Sequence, residues 1–292
     1  MPLHDFCSGA DFLSVQTYDP LTKPINEAAA IYLGNLYRVQ SLARFPVILL
    51  GSVTVTQHFD AIARERLGIS VRDPRISSEG EEFDSSLYKS KESLRKELQG
   101  DWFKKSQKGN IPCGMDVGKK VLSILLNTGE KETIEGMDAV LKGIVTGAWT
   151  AFEVLVEMVW NATVAERPAL NLAITPKERN VMGFRSTSKF RKLYEFTFRS
   201  NNAAIIGLLA NDRIDALALT RNIIVHTGGK IDEEFDSRRG AIRALDCFKK
   251  VKKFEKVELT GSMVKDLVTP VISSGFDLIK EVDTWIISHP KP

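Results

Sequence analysis

The sequence predicts an all-α protein. Apolar residues recur every three to four positions over long stretches, helix start and stop residues bracket several of them, and strand-like alternation is confined to a short Lys256–Leu259 segment. Residues 1–24, with Pro2, Pro20 and Pro24, have little periodicity and read as an extended arm. From Ile25 the pattern turns helical, with Ile31, Leu36, Val39 and Leu42 near one face, and Pro46 is expected to end or kink this helix. A second helix follows from Val47 to Leu67, although its Val53–Thr56 run is β-prone. Residues 70–86, with Pro74, Gly80 and several serines and acids, read as a loop, and helices follow near 87–105 and 113–127. Asn127, Thr128 and Gly129 then mark a boundary. The expected organisation is an arm (1–24), an N-terminal helical section (25–130) and a C-terminal bundle (131–292).

The clearest helix starts near Thr133 and runs to Glu166, stopping before Pro168. Met137, Val140, Leu141, Ile144, Val145, Trp149, Phe152, Val156, Val159 and Trp160 keep its amphipathic rhythm. Such a length suits the spine of a bundle. Glu153 and Glu157 stand four apart beside this stripe, where they either lie on the surface or face a site. Thr175, Pro176 and Glu178 form a helix start, and 187–198 and 201–211 are helical by pattern. The next helix spans Asp212 to Thr227, with Ile214, Leu217, Ala218 and Ile224 as its buried set. Thr260 is placed to cap a last helix to Ser288, buried through Val264, Leu267, Val271, Phe276, Ile279, Val282 and Ile286, with a bend or break at Pro270.

Composition narrows the function classes. With 43% hydrophobic and 26% charged residues the chain holds a substantial core, and disorder is excluded. A net charge of +3 is too small for an obligate duplex-DNA binder. Residues 1–130 carry 16 basic and 16 acidic side chains, and the later residues 24 and 21, so the excess lies in the C-terminal part. Two stretches there, 177–199 and 243–256, are basic enough to attract phosphate backbones, or to serve simply as solvated helix faces. Cys7, Cys113 and Cys247 have neither zinc-site spacing nor a disulfide framework, which fits a reducing, cytoplasmic location. No signal-peptide pattern opens the sequence, and the most apolar run, Phe45 to Val55, is about half the length of a membrane span, so no membrane partner is expected.

The chemistry concentrates in one motif, Arg221-Asn-Ile-Ile-Val-His226, followed by Thr227, Gly228 and Gly229. At about 100° per residue Asn222 and His226 share a face; Arg221 lies about 140° round from His226 but has the reach to bend back. The glycines stop the helix, and the negative helix end favours a protonated imidazole. A cation, an amide and a titratable ring at one helix end suit phosphate handling; they equally suit an ordinary solvated helix end, with Arg221 bridging an acid such as Asp215 or Asp232 and His226 capping carbonyls. Gly228-Gly229-Lys230 lacks the frame of a phosphate-binding loop. His4, His58 and His289 are far apart, His58 and Asp60 read as a helix-surface pair, and no cluster has metal-ligand spacing, so no metal or other cofactor is expected.

With its flanks, the motif resembles the signature of the HEPN superfamily. The residues carrying the resemblance are Arg221, Asn222 and His226 within R-N-I-I-V-H-T-G-G-K-I-D, the stretch G-A-W-T-A-F-E-V-L-V-E-M-V-W from Gly147, and E-L-T-G-S-M-V-K-D-L-V from Glu258. Thr227 stands where many members have Asn. The resemblance spans roughly residues 131–290 and implies a HEPN-like up-and-down helical bundle with an additional N-terminal helical section. It implies metal-independent cleavage of RNA by attack of the 2′-hydroxyl on the adjacent phosphorus. His226 would act as general acid or base, Arg221 would stabilise the phosphorane, and Asn222 would orient phosphate or imidazole. It further implies a homodimer whose two motif helices share one cleft, a toxin or defence role, and an antitoxin or regulatory partner. Lys249, Lys250, Lys252 and Lys253 would hold the RNA backbone beyond the cut. The competing expectation is a non-catalytic HEPN-like nucleotide- or RNA-binding or dimerisation scaffold.

Overall fold

Helix is the regular structure of the computed structural model, which describes residues 19–71, 73–77, 82–108, 114–129, 131–172, 182–184, 186–198 and 203–289. Among these, the one departure is an isolated antiparallel bridge between Lys230 and Lys256, at the start of the expected extended segment. The protein is an all-α helical bundle. By their packing the elements form two compact units, one of the described residues up to Ala43 with those from Ile134 onward, the other Arg44–Thr133. One division therefore runs inside the first helix, α1 (Lys23–Arg66), and the other between Thr133 and Ile134.

The sequence predicts an interruption at Pro46, yet α1 is continuous through it. A proline there removes one helical hydrogen bond and crowds the preceding turn, costing about 3 kcal/mol. Ala43 and Val47, buried on either side, anchor the helix across the gap. Pro24, read as part of the arm, lies in the first turn of α1, where a missing N–H costs nothing. The buried face also differs from the expected one. Ile25, Ala28, Ala29, Tyr32, Leu36 and Ala43 face inward, while Ile31 and Leu42 are exposed.

The Arg44–Thr133 unit adds a 3-10 turn at Pro74–Ile76, α2 (Ser85–Gln107) and α3 (Gly114–Thr128) to the second half of α1. α3 lies backbone to backbone on α1: a Cβ at Gly118 would run into the Val47 carbonyl oxygen, and one at Gly51 into that of Gly114. Lys91 of α2 is almost fully buried and survives there because its Nζ reaches Asp60 at 2.7 Å and Glu92 at 3.2 Å. Asp60 also accepts from Arg64 Nε at 2.6 Å, so it belongs to this network and not to a pair with His58. Burial pushes the Asp60 carboxyl up, but Arg64 and Lys91 outweigh it and hold it below the usual carboxylate range.

In the other unit the spine is α4 (Lys131–Glu166), the helix foreseen to Glu166. Eight of its ten predicted inward residues are buried; Val140 and Trp160 are partly exposed. After the short α5 (Pro168–Leu172) come α6 (Thr187–Thr197), α7 (Ala203–Leu209), α8 (Asp212–Thr227), α9 (Glu233–Arg239), a 3-10 turn (Arg243–Phe248) and α10 (Gly261–Ser288). The predicted start at Thr175 lies outside the described residues. The Tyr194 hydroxyl of α6 donates to the Val156 carbonyl of α4 at 2.8 Å, and Phe190 meets Phe152 edge-on, so α6 is locked onto the spine. α10 begins at the Thr260 cap and buries every residue predicted to be inside. It too is continuous, through Pro270, flanked by buried Val268, Val271 and Ile272. Its fully buried Asp283 accepts from the Leu21 and Thr22 amides at 2.9 and 3.0 Å, capping α1 from the far end of the chain.

Candidate functional site

α8 carries the motif and is fixed at both ends. Asn211 accepts from the Arg213 amide at its start, with Asp212 and Asp215 in the positive first turn. At its end Gly228 takes a left-handed φ of 66°, and the Gly229 amide turns back to the Ile223 carbonyl at 2.8 Å. The helix packs against α6, α9 and α10. That many neighbours bury more of α8 than its sequence pattern suggests: Ile214, Ala216, Leu217, Leu219, Thr220 and Ile223 are inside, whereas Ala218 and Ile224 are partly exposed.

Beside the middle of α8 lies a polar cavity of about 350 Å³. Arg221 and Asn222 form one wall, Trp149 and Glu153 of α4 another, Ser186, Thr187, Ser188 and Arg191 the start of α6, and Glu234 and Arg238 of α9 the rim. Its three arginines differ in their attachments. Arg191 donates to Asp215 at 2.8 Å and to the Leu209 carbonyl at 2.6 Å. Arg238 pairs with Glu234 at 3.2 Å and with Asp215 at 3.5 Å. Arg221 donates to Asn222 Oδ1 at 3.2 Å, but its Nε is buried without a hydrogen-bond partner. Asp215 is taken by Thr187 and the other two arginines, and Asp232 caps α9 through the Phe235 amide, so neither acid is the bridge to Arg221 that the sequence allowed.

Compared with family models, curated proteins and solved structures, the chain matches none.

A buried guanidinium nitrogen without an acceptor carries an unmet desolvation cost. The Arg221 guanidinium, the Asn222 amide and the hydroxyls of Ser186 and Ser188 are the groups that an anionic ligand in this cavity would meet. Glu153 sets the other half of the electrostatics. Burial pushes its carboxyl above the usual carboxylate range, and Trp149 and the Arg221 charge pull it back only in part. Glu157, its partner in the sequence pattern, is exposed and outside the cavity.

Not all the expected site residues converge. Arg221 and Asn222 meet, but His226 sits exposed on the last turn of α8 and does not line the cavity. Lys249, Lys250, Lys252 and Lys253 are all exposed and away from the cavity lining. Lys249 pairs with Asp246 at 2.9 Å, and Lys253 with Glu233 at 2.8 Å, which moderates the positive patch. Arg191, Arg238 and the serines went unnoticed in the sequence because they are scattered over elements far apart in the chain. Arg191 gave one signal, lying in the basic stretch 177–199.

A larger cavity, about 640 Å³, lies in the Arg44–Thr133 unit against Asp60, Arg64, Glu92 and Arg95. Those charges already satisfy one another, so it offers a ligand little beyond shape. Among the described residues no group of three or more His, Cys, Asp and Glu side chains is placed to hold a metal ion. Hydropathy also corrects the estimate of span length. Eighteen-residue windows in α1 and α4, each with at most two charged residues, reach mean hydropathies of 1.4 and 1.5, so by length and composition both helices are apolar enough to cross a membrane. The α4 window is 50% buried, as in a core helix, and the α1 window 28%.

Proposed function

We propose that the protein is a metal-independent endoribonuclease whose site is built on Arg221, Asn222 and His226. The observation that carries this reading is the buried Arg221 Nε, unpartnered and beside Asn222 in a polar cavity. A planar cation held ready but unmatched by a carboxylate is suited to the charge that develops on phosphorus as a ribose hydroxyl attacks it. His226 supplies proton transfer at the open end of α8. Since one chain keeps it outside its own cavity, the reading includes a homodimer in which two motif helices face each other and each chain completes its partner's site. RNA is the substrate. A role as a toxin or in defence, held in check by a regulatory protein, belongs to the same proposal.

The test is incubation of the purified protein with RNA in EDTA. Wild type leaves 2′,3′-cyclic phosphate ends, whereas Arg221→Ala and His226→Ala lose about 10²–10⁴ in rate. His226 is exposed, so its substitution leaves the circular dichroism and melting temperature in place. The exposure of His226 also favours a second reading, a non-catalytic nucleotide- or RNA-binding scaffold. That reading predicts RNA binding that depends on Arg221, with no cleavage by wild type.

A further inference from the structure

We infer that Glu153 is the general base of this site, accepting the proton of the attacking ribose hydroxyl while Arg221 holds the phosphate beside it. The inference rests on the ribonuclease reading and names a residue outside its motif. Glu153 projects from the spine helix into the cavity that Arg221 and Asn222 enter from α8. Its wall is rigid: Trp149, one turn earlier, is 2% exposed, and adjacent Phe152 is fully buried. A general base must lie within reach of the hydroxyl whose oxygen attacks the phosphorus that the cation stabilises. His226 does not line that cavity.

The charged groups sharing the cavity are Arg221 from α8, Arg191 from α6, and Glu234 and Arg238 from α9. Arg191 is tied to Asp215, and Arg238 to Asp215 and Glu234. Glu153 is therefore the cavity carboxyl that no arginine occupies as an ion pair, and the charge of Arg221 acts on it across the cavity. Half-burial keeps the carboxyl a stronger proton acceptor than an exposed glutamate. In the reaction the ribose 2′-oxygen bonds to phosphorus as its proton passes to Glu153. The bond from phosphorus to the 5′-oxygen breaks, and the leaving oxygen takes a proton from the imidazolium of His226, contributed by the second copy of the chain. The products are a 2′,3′-cyclic phosphate and a free 5′-hydroxyl, and solvent returns the proton from Glu153 to His226.

The experiment measures single-turnover cleavage of an oligonucleotide with one ribose in a deoxyribose background, in EDTA, from about pH 5 to about pH 9. Wild type, Glu153→Gln and Glu153→Asp are compared, with RNA affinity and circular dichroism followed alongside. Expected is a wild-type rate that rises with pH along an acidic limb, and a Gln variant about 10²–10⁴-fold slower with that limb gone. Its affinity and fold stay unchanged, and Asp restores the limb at a lower rate. A Gln variant that keeps the wild-type rate, or is slower but keeps the limb, overturns the role of Glu153 and leaves the ribonuclease reading standing. Wild type that binds the oligonucleotide without cutting it overturns both.

Discussion

Glu153 and Arg221 line one cavity, where the charge of Arg221 acts on the Glu153 carboxyl. A glutamate in water is ionised well below neutrality, but one half-buried beside Trp149 resists losing its proton. This has a consequence for stability that does not depend on any substrate. The folded-state pKa lies above the unfolded value, about 4.3. The group's contribution is therefore fully present below that value and is lost as pH rises through the folded-state pKa. Glutamine cannot ionise and escapes the loss. The melting temperature of Glu153→Gln should thus gain on wild type as pH is raised from acid to neutral, in calorimetry at constant ionic strength. A difference that shrinks over that interval would mean that Arg221 already stabilises the ionised form.

Among the elements, the ends of α8 and α10 and the inward faces of α4 and α10 were legible in the sequence, whereas the end and the inward face of α1 were not. α8 ends at Thr227 and α10 starts after Thr260, both as expected, because caps and a left-handed glycine act within one turn of chain. The inward face of α1 depends on what packs against it, and no local pattern encodes that. Tyr32 lies inward, its ring 5.3 Å from Phe276 of α10, at a point where Gly275 leaves it room. The prolines mislead for the same reason: propensity is a local cost, and burial on both flanks outweighs it. The cavity was the least legible feature, since its walls come from four helices and only the α8 wall carries a recognisable motif. Gly275 gives a sharp test of the α1–α10 contact. Alanine there gains about 1 kcal/mol in helix propensity. Its Cβ, however, would sit 2.5 Å from the Tyr32 hydroxyl and 2.7 Å from Cζ of a ring that is 1% exposed and has nowhere to move. Overpacking of this kind costs about 1–3 kcal/mol, so Gly275→Ala should lower stability in urea unfolding. A neutral or stabilised variant would show that the two helices lie farther apart.

For the whole molecule, the decisive quantity is the number of chains in one working unit. His226 is exposed at the end of α8, next to Val225, an apolar residue that is 48% exposed. An exposed apolar side chain adjoining His226 is economically explained if a second copy covers both. In a twofold arrangement the same patch meets itself, so the two α8 ends approach each other across the axis. On the proposed reading each cavity would receive an imidazole from the other chain, supplying the acid that a single chain lacks. This arrangement predicts a dimer by analytical ultracentrifugation, and activity that falls on dilution below its dissociation constant. Val225→Glu places two like charges at the axis and should yield folded monomers with little cleavage. Mixing His226→Ala with Arg221→Ala chains carries the argument further. Each variant is inactive alone, but a mixed dimer holds one site with both an intact Arg221 and an intact His226, so activity should return to a fraction of wild type. If the mixture stays inactive while subunit exchange is demonstrated by fluorescence transfer, the two residues act within one chain, and α8 must bring His226 back to its own cavity.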